Sequence, residues 1–158
     1  IKRLNTASVP GIEIISMKEL PEGAGNAMAS VAAASYTVRF REGRELSFDI
    51  AKKLPEFMAQ EQIRITKETK KSTLEMDLKP GIYEFTIKED GSLYLLVDAS
   101  SAGNIKPTTV IEAMANFFGE TLQENALQIT REETYTNLAK PGKKRRLVPL
   151  DAIGTDIA

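Results

Sequence analysis

The chain has no cysteine, no histidine and no tryptophan in its 158 residues. Without cysteine it cannot build a disulfide framework, a zinc–thiolate site, an iron–sulfur cluster or a thiol nucleophile. Without histidine it has no imidazole metal ligand and no Ser-His-Asp triad of its own. No stretch approaches the ~18 consecutive apolar residues of a membrane helix; the longest small-apolar run, Met28 to Ala34, is short and rich in alanine. Lys2, Arg3 and Asn5 break up any apolar start, so the opening does not read as a signal peptide. The absence of cysteine agrees with a reducing compartment, and a cytoplasmic protein is the expectation. Net charge of either sign is also scarce, with 21 Lys and Arg against 22 Asp and Glu. What remains for chemistry is carboxylates, Lys, Arg, Tyr, Ser and Thr.

That near-neutral balance hides an asymmetry. Residues 139–158 carry Lys140, Lys143, Lys144, Arg145 and Arg146 against only Asp151 and Asp156. The segment is a basic tail on a mildly acidic body.

Residues 1–20 contain an apolar run, Gly11 to Ile15, that reads as a strand with no partner before it. Standing alone, it reads as completing a sheet whose earlier part is missing, and the start at Ile1 rather than Met reads as that of a fragment or a processed product. Residues 21–35 are a linker, marked by Pro21, Gly23 and Gly25, and a short helix capped by Asn26 and running to about Ala34. Residues 36–138 then alternate between two periods. Tyr36, Val38 and Phe40 mark a strand. Ser47 is placed to cap a helix whose stripe includes Phe48, Leu54, Phe57 and Met58, with a kink at Pro55. Strands follow around Ile63–Lys67, Leu74–Leu78, Tyr83–Ile87 and Leu93–Val97. Asp90-Gly91 between the last two signals a two-residue hairpin turn. Pro107 opens a second helix, which Gly119 closes, and Leu127 begins the last strand. Strand–helix–strand pairs sharing one sheet predict an α+β, ferredoxin-like split βαβ fold, with the surplus strand accommodated in an edge hairpin. Residues 139–158 show no periodicity and are expected to be mobile or partner-bound.

Several constellations bear on chemistry. Gly23-Ala24-Gly25-Asn26 lacks the third glycine and the βαβ frame of a dinucleotide loop and reads as linker. Glu75 and Asp77 share a strand face, as a Mg²⁺-binding or acid–base pair would, although exposed strand charges give the same pattern. Ser100 to Asn104 precede the Pro107 helix, where small hydroxyl residues can meet an anion or simply close a loop. Lys67, Lys70, Lys71 and Lys79 cluster around one hairpin, Lys106 stands at a helix start and Arg131 on the last strand. Converging at one end of the sheet, they can contact phosphates, with Tyr83, Tyr94 or Tyr135 to stack a base. The acidic body weighs against a dedicated nucleic-acid binder. Lys143 to Arg146 can add phosphate contacts, but no aromatic interleaves with them.

The same residues carry a family resemblance. Leu4-Asn5, Pro10-Gly11-Ile12 and Leu20-Pro21, then Ala33-Ala34-Ser35-Tyr36, are similar to the middle of a radical-SAM-linked bacterial domain family of unknown function. Lys70-Lys71 and Asp77-Leu78-Lys79-Pro80 resemble that family's lysine-rich hairpin and its Asp-aliphatic-basic-Pro motif. Gly103-Asn104-Ile105-Lys106-Pro107 resembles its Gly-Asn-aliphatic-basic-Pro motif. Ile129-Thr130-Arg131 and Tyr135 resemble its closing strand. The resemblance spans about Leu4 to Leu138 and covers the C-terminal portion of the family. It implies an absent N-terminal α+β part and a setting in RNA or ribosome-associated modification beside a radical SAM protein. It transfers no catalytic residue and no cofactor. Lys79 and Lys106 stand where the family commonly has Arg, and a lysine meets phosphate as a point charge without the bidentate fork.

The expectation is a non-catalytic accessory module that binds RNA or an RNA-modification partner, with Lys70, Lys71, Lys79, Lys106, Arg131 and Tyr135 as contacts, and with no metal and no membrane association. The alternatives are a protein-interaction scaffold for a radical SAM enzyme, or part of an enzyme whose site needs the missing N-terminal region and uses Asp77. The cluster that radical SAM chemistry requires is held by three cysteines, so this chain cannot be the catalytic half of such a system. The sequence leaves the oligomeric state open.

Overall fold

A computed structural model describes residues 1–68 and 73–157. In chain order the elements are α1 (Lys2–Ala7), β1 (Lys18–Glu19), α2 (Ala27–Ser30), β2 (Val31–Phe40), α3 (Ile50–Met58), β3 (Arg64–Glu68) and β4 (Thr73–Asp77). They continue with β5 (Ile82–Ile87), β6 (Leu93–Asp98), α4 (Pro107–Phe117), β7 (Leu127–Asn137), β8 (Leu147–Pro149) and β9 (Thr155–Asp156).

The main sheet has the order β5-β6-β2-β7-β8, and every neighbouring pair is antiparallel. Removing β8 leaves the split βαβ arrangement: β2 and β5 flank β6, β6 and β7 flank β2, and α3 and α4 make the two crossovers. The α+β expectation is met. The surplus hairpin is not at the sheet edge, however. β3 and β4 form a separate two-stranded sheet, with Ile65 opposite Met76, and the strand added at the edge is β8.

Alternation divides the sheet cleanly. Ala34, Tyr36 and Val38 of β2 and Leu93, Leu95 and Val97 of β6 face α3 and α4. There they meet Leu54 and Phe57 of α3 and Val110, Ile111 and Met114 of α4 in one core. Phe57 is fully buried and touches Phe85 and Phe117 edge-on, with ring centroids 6.5 and 6.1 Å apart. The opposite face carries Ser35 and Thr37, buried beneath larger neighbours. The Lys88 ammonium donates to Thr37 Oγ1 at 2.7 Å, and the Tyr135 hydroxyl lies 3.4 Å from Ser35 Oγ.

Local signals were overridden where pairing offered more. The helix begun at Asn26, whose Oδ1 accepts from Met28 N at 2.8 Å, stops at Ser30 and does not run to Ala34. From Val31 onward the chain is a strand paired on both sides, so sheet hydrogen bonds outweigh alanine's modest helix propensity. Asp49, not Ser47, caps α3, accepting from Ala51 and Lys52 N–H, and the helix continues through Pro55. Ser47 is instead held by the Glu120 carboxylate at 2.7–3.0 Å. The β5–β6 hairpin forms, but its loop spans Glu89 to Gly91, closed by Lys88 N–H to Ser92 O at 2.8 Å, one residue longer than expected. Gly119 ends α4 as expected. At φ +76° it lets Glu120 N–H reach Ala115 O and its own N–H reach Asn116 O, the paired bonds of a Schellman motif.

Gly11 to Ile15 is not a strand. The Asn5 side chain takes the place of a strand partner, donating to Ile14 O at 3.0 Å and accepting from Ile14 N at 2.7 Å. Residues 139–158, read as aperiodic, contain secondary structure: β8 pairs with β7 and β9 pairs with β1.

Candidate nucleic-acid interface

The two motifs that stand out in the sequence face each other across one groove. Its walls are α4 with the loop leading into it and the β3–β4 hairpin; its volume is about 930 Å³. That lies near the top of the ~300–1,000 Å³ range usual for ligand sites. Phe57, Ile63, Leu78 and Ile105 form an apolar floor.

The loop from β6 to α4 closes around Asp98. Its Oδ1 accepts from Ser100 N at 2.8 Å, Ser100 Oγ accepts from Gly103 N at 3.2 Å, and Ile105 N donates to Asp98 O at 2.8 Å. Gly103 is required, because a Cβ there would sit 2.5–2.7 Å from the Asp98 carboxyl. Asn104 takes φ +44°, a left-handed conformation asparagine tolerates. The Ser100 hydroxyl is therefore spent within the loop. Lys106 emerges exposed at the N-cap of α4, and Pro107 opens the helix with no side chain capping it.

Across the groove, Asp77 anchors the hairpin's base. Its Oδ1 accepts from Ile63 N at 2.8 Å and Lys79 N at 3.0 Å, and Leu78 N donates to Ile63 O at 2.8 Å. This is a structural use of the carboxylate. Among the described residues no group of three or more Asp or Glu is placed to hold a metal ion.

Among the described residues, the predicted contacts do not all meet at one place. Lys106 lines the groove. Lys70 and Lys71 lie outside the described residues. Lys79 stands beside the groove, but its ammonium donates to Met58 O and so caps the C-terminus of α3. Arg131 lies on the helix-side face of β7, with its guanidinium 5.6 Å from the Tyr36 ring centroid. Tyr135 is on the opposite face beside Ser35. Tyr94 shares that face, and burial raises its pKa, opposed by a hydrogen bond with Ser35.

The structure adds groove residues that did not stand out in the sequence: Arg64 and Thr66 on the hairpin, and Thr109, Glu112 and Asn116 on α4. Their spacing of three and four along α4 is a polar stripe visible in the sequence but overshadowed by the apolar one. Phe117, at the carboxyl end of α4, is 45% exposed on the groove's rim.

The basic tail has its own docking point. Arg145 stacks on Tyr83 with the guanidinium 3.9 Å from the ring centroid, and donates to Pro80 O at 3.4 Å. Tyr83's pKa is raised, first by burial and then by Asp98, with Arg145 acting against both.

An α+β domain of split βαβ topology, with an inserted hairpin making a groove against its second crossover helix, is the class of protein defined here. The chain belongs to the family described as an uncharacterized protein conserved in bacteria (DUF2344), which matches residues 1–107 and thus includes both walls' motifs up to Pro107. No curated protein and no solved structure matches it. Among the described residues, no helix is long and apolar enough to cross a membrane.

Proposed function

We propose that this chain is a non-catalytic RNA-binding module acting in the cytoplasm, and that RNA lies in the groove between the β3–β4 hairpin and α4. The observation that carries the reading is the pairing of cations across one groove. Arg64 stands on one wall and exposed Lys106 on the other, beside an uncapped helix start. Lys70 and Lys71 fall between β3 and β4 in sequence. Cations spaced along a groove with an exposed aromatic at its end suit a single strand better than a duplex. Asp77, the residue the enzyme alternative would use, is committed to two backbone N–H groups, which favours binding over chemistry.

The resemblance to radical-SAM-linked domains supplies a setting. An RNA-modifying radical SAM protein would perform the chemistry, and this chain would present the RNA.

The test is fluorescence anisotropy of the intact protein with mixed-sequence single-stranded RNA over a salt series. Four phosphate contacts give a slope of log K against log salt of about −3. Charge reversal at Lys70 and Lys71 together, or Lys106→Glu, weakens binding and flattens the slope. Absence of binding at low salt refutes the proposal. Nuclease-resistant capture of a radical SAM enzyme, unchanged by these reversals, assigns a scaffold instead.

A further inference from the structure

The groove contains a charge that a purely phosphate-binding surface would avoid. Glu112 is the one carboxylate among its described lining residues, between Lys106 at the amino end of α4 and Phe117 at the carboxyl end. At 1.5 Å per residue, Glu112 stands ~9 Å along the helix from Lys106 and Phe117 ~7.5 Å further on. Asn116 is one turn beyond Glu112 on the same side, and its amide can both donate and accept.

An acid here repels every phosphate that approaches, so the groove must draw something else to that point. A carboxylate only accepts hydrogen bonds, with two oxygens side by side. Among the four bases, guanine alone offers two adjacent donors on its Watson–Crick edge, N1–H and the N2 amino group, in a spacing that matches a carboxylate. Adenine and cytosine each offer a single amino group beside a ring-nitrogen acceptor. Uracil offers N3–H between two carbonyl oxygens that Glu112 would repel. An unstacked base can present this edge only when single-stranded.

We infer that the groove selects guanine. Glu112 accepts from guanine N1–H and N2–H, Asn116 meets the neighbouring edge, Phe117 offers its exposed face for stacking, and Lys106 takes the adjoining phosphate. The inference rests on the RNA-binding reading and assigns its specificity. The occupant is a guanosine within a single-stranded RNA, since a free nucleotide would use one end of the groove and leave Arg64 without a phosphate.

The probes are four RNA heptamers, a uridine heptamer and the same chain with one central guanosine, adenosine or cytidine, together with guanosine monophosphate. Binding to the intact protein is read by anisotropy or competition at one salt concentration. The guanosine heptamer binds about tenfold tighter than the uridine heptamer, at the lower end of what a bidentate base contact discriminates. Glu112→Gln, which replaces one acceptor by a donor, weakens the guanosine heptamer and strengthens the uridine one by removing the repulsion. Such opposed shifts cannot come from loss of structure. Glu112 is exposed on its helix, and an unchanged thermal transition confirms folding.

Salt-sensitive binding with no preference among the four heptamers overturns this inference and leaves the RNA-binding proposal standing. A guanosine preference untouched in Glu112→Gln also overturns it, as does guanosine monophosphate binding as tightly as the guanosine heptamer. Failure to bind any RNA removes the RNA-binding reading itself.

Discussion

Asp77→Ala tests whether that carboxylate is structural. In the folded chain its Oδ1 accepts two backbone N–H groups, from Ile63 and Lys79, and its side chain is half-buried. Hydrogen bonds to a charged acceptor contribute about 1.5–3 kcal/mol each when buried. Partial exposure lets water reach one of the freed N–H groups, so the expected loss is about 2–3 kcal/mol in total. For a domain of this size that is a fall of roughly 5–10 °C in melting temperature. Asp77→Asn keeps one oxygen acceptor and is expected to recover most of the loss. Urea denaturation at neutral pH, followed by circular dichroism, gives both values. The hairpin is a wall of the groove, so under the proposed RNA-binding function Asp77→Ala also weakens RNA binding while Asp77→Asn preserves it. The reasoning fails if Asp77→Ala is as stable as the parent. It fails equally if Asp77→Asn is as damaging as Asp77→Ala, because the charge rather than the acceptor would then matter.

Two further outcomes follow from titrating groups. Asp90 accepts from the Ser92 hydroxyl, the Ser92 N–H and Arg39, in that order of effect, and its pKa is held far below the ordinary carboxylate value of 3.8. A depressed folded-state pKa contributes stability above the unfolded value, lost as pH falls below about 4 toward the folded one. Acid should therefore destabilise the parent more steeply than Asp90→Asn between pH 5 and pH 2, read from melting temperatures, and parallel curves would contradict the assignment. Arg145→Ala removes the one influence holding Tyr83's pKa down against burial and Asp98, so that pKa rises further; ultraviolet titration of the phenolate, compared with Tyr83→Phe, detects the change.

The sheet was legible because its strands announce themselves by alternation and its helices by Pro107, Gly119 and the apolar stripes. Sequence reasoning failed where a side chain substituted for a backbone element. Asn5 pairs with Ile14 as a strand would, and nothing in Gly11 to Ile15 distinguishes a peptide bonded to an amide from one bonded to a neighbouring strand. It failed again at the tail, where charge obscured a turn. Lys140-Pro141-Gly142-Lys143 is a type II signature, with Pro at the second position and Gly142 at φ +76°, and Lys143 N donates to Lys140 O at 3.0 Å. The basic run beyond it is the return arm of a hairpin, with Leu138 N bonded to Arg146 O at 2.9 Å. Of the groove, the two motifs could be found but not their opposition, since residues 64–66 and 106–117 meet only through tertiary packing.

That packing also separates two lysines that look equivalent in sequence. Asp77-Leu78-Lys79-Pro80 is a knot in which each residue ties a different partner. Asp77 holds β3, Leu78 is almost completely buried in the core, Lys79 caps α3, and Pro80 O receives Arg145 from the β7–β8 loop. A lysine is enough for Lys79's task, because a single carbonyl needs a flexible donor and not a planar fork. Lys106, in the parallel motif Gly103-Asn104-Ile105-Lys106-Pro107, is relieved of such work. The loop is closed by Asp98, Ser100 and Gly103, leaving the ammonium exposed above an uncapped helix start. One basic-Pro motif thus builds the groove's wall, and the other supplies its charge. The free, exposed lysine can be told from its structural twin only by what the preceding residues have already satisfied.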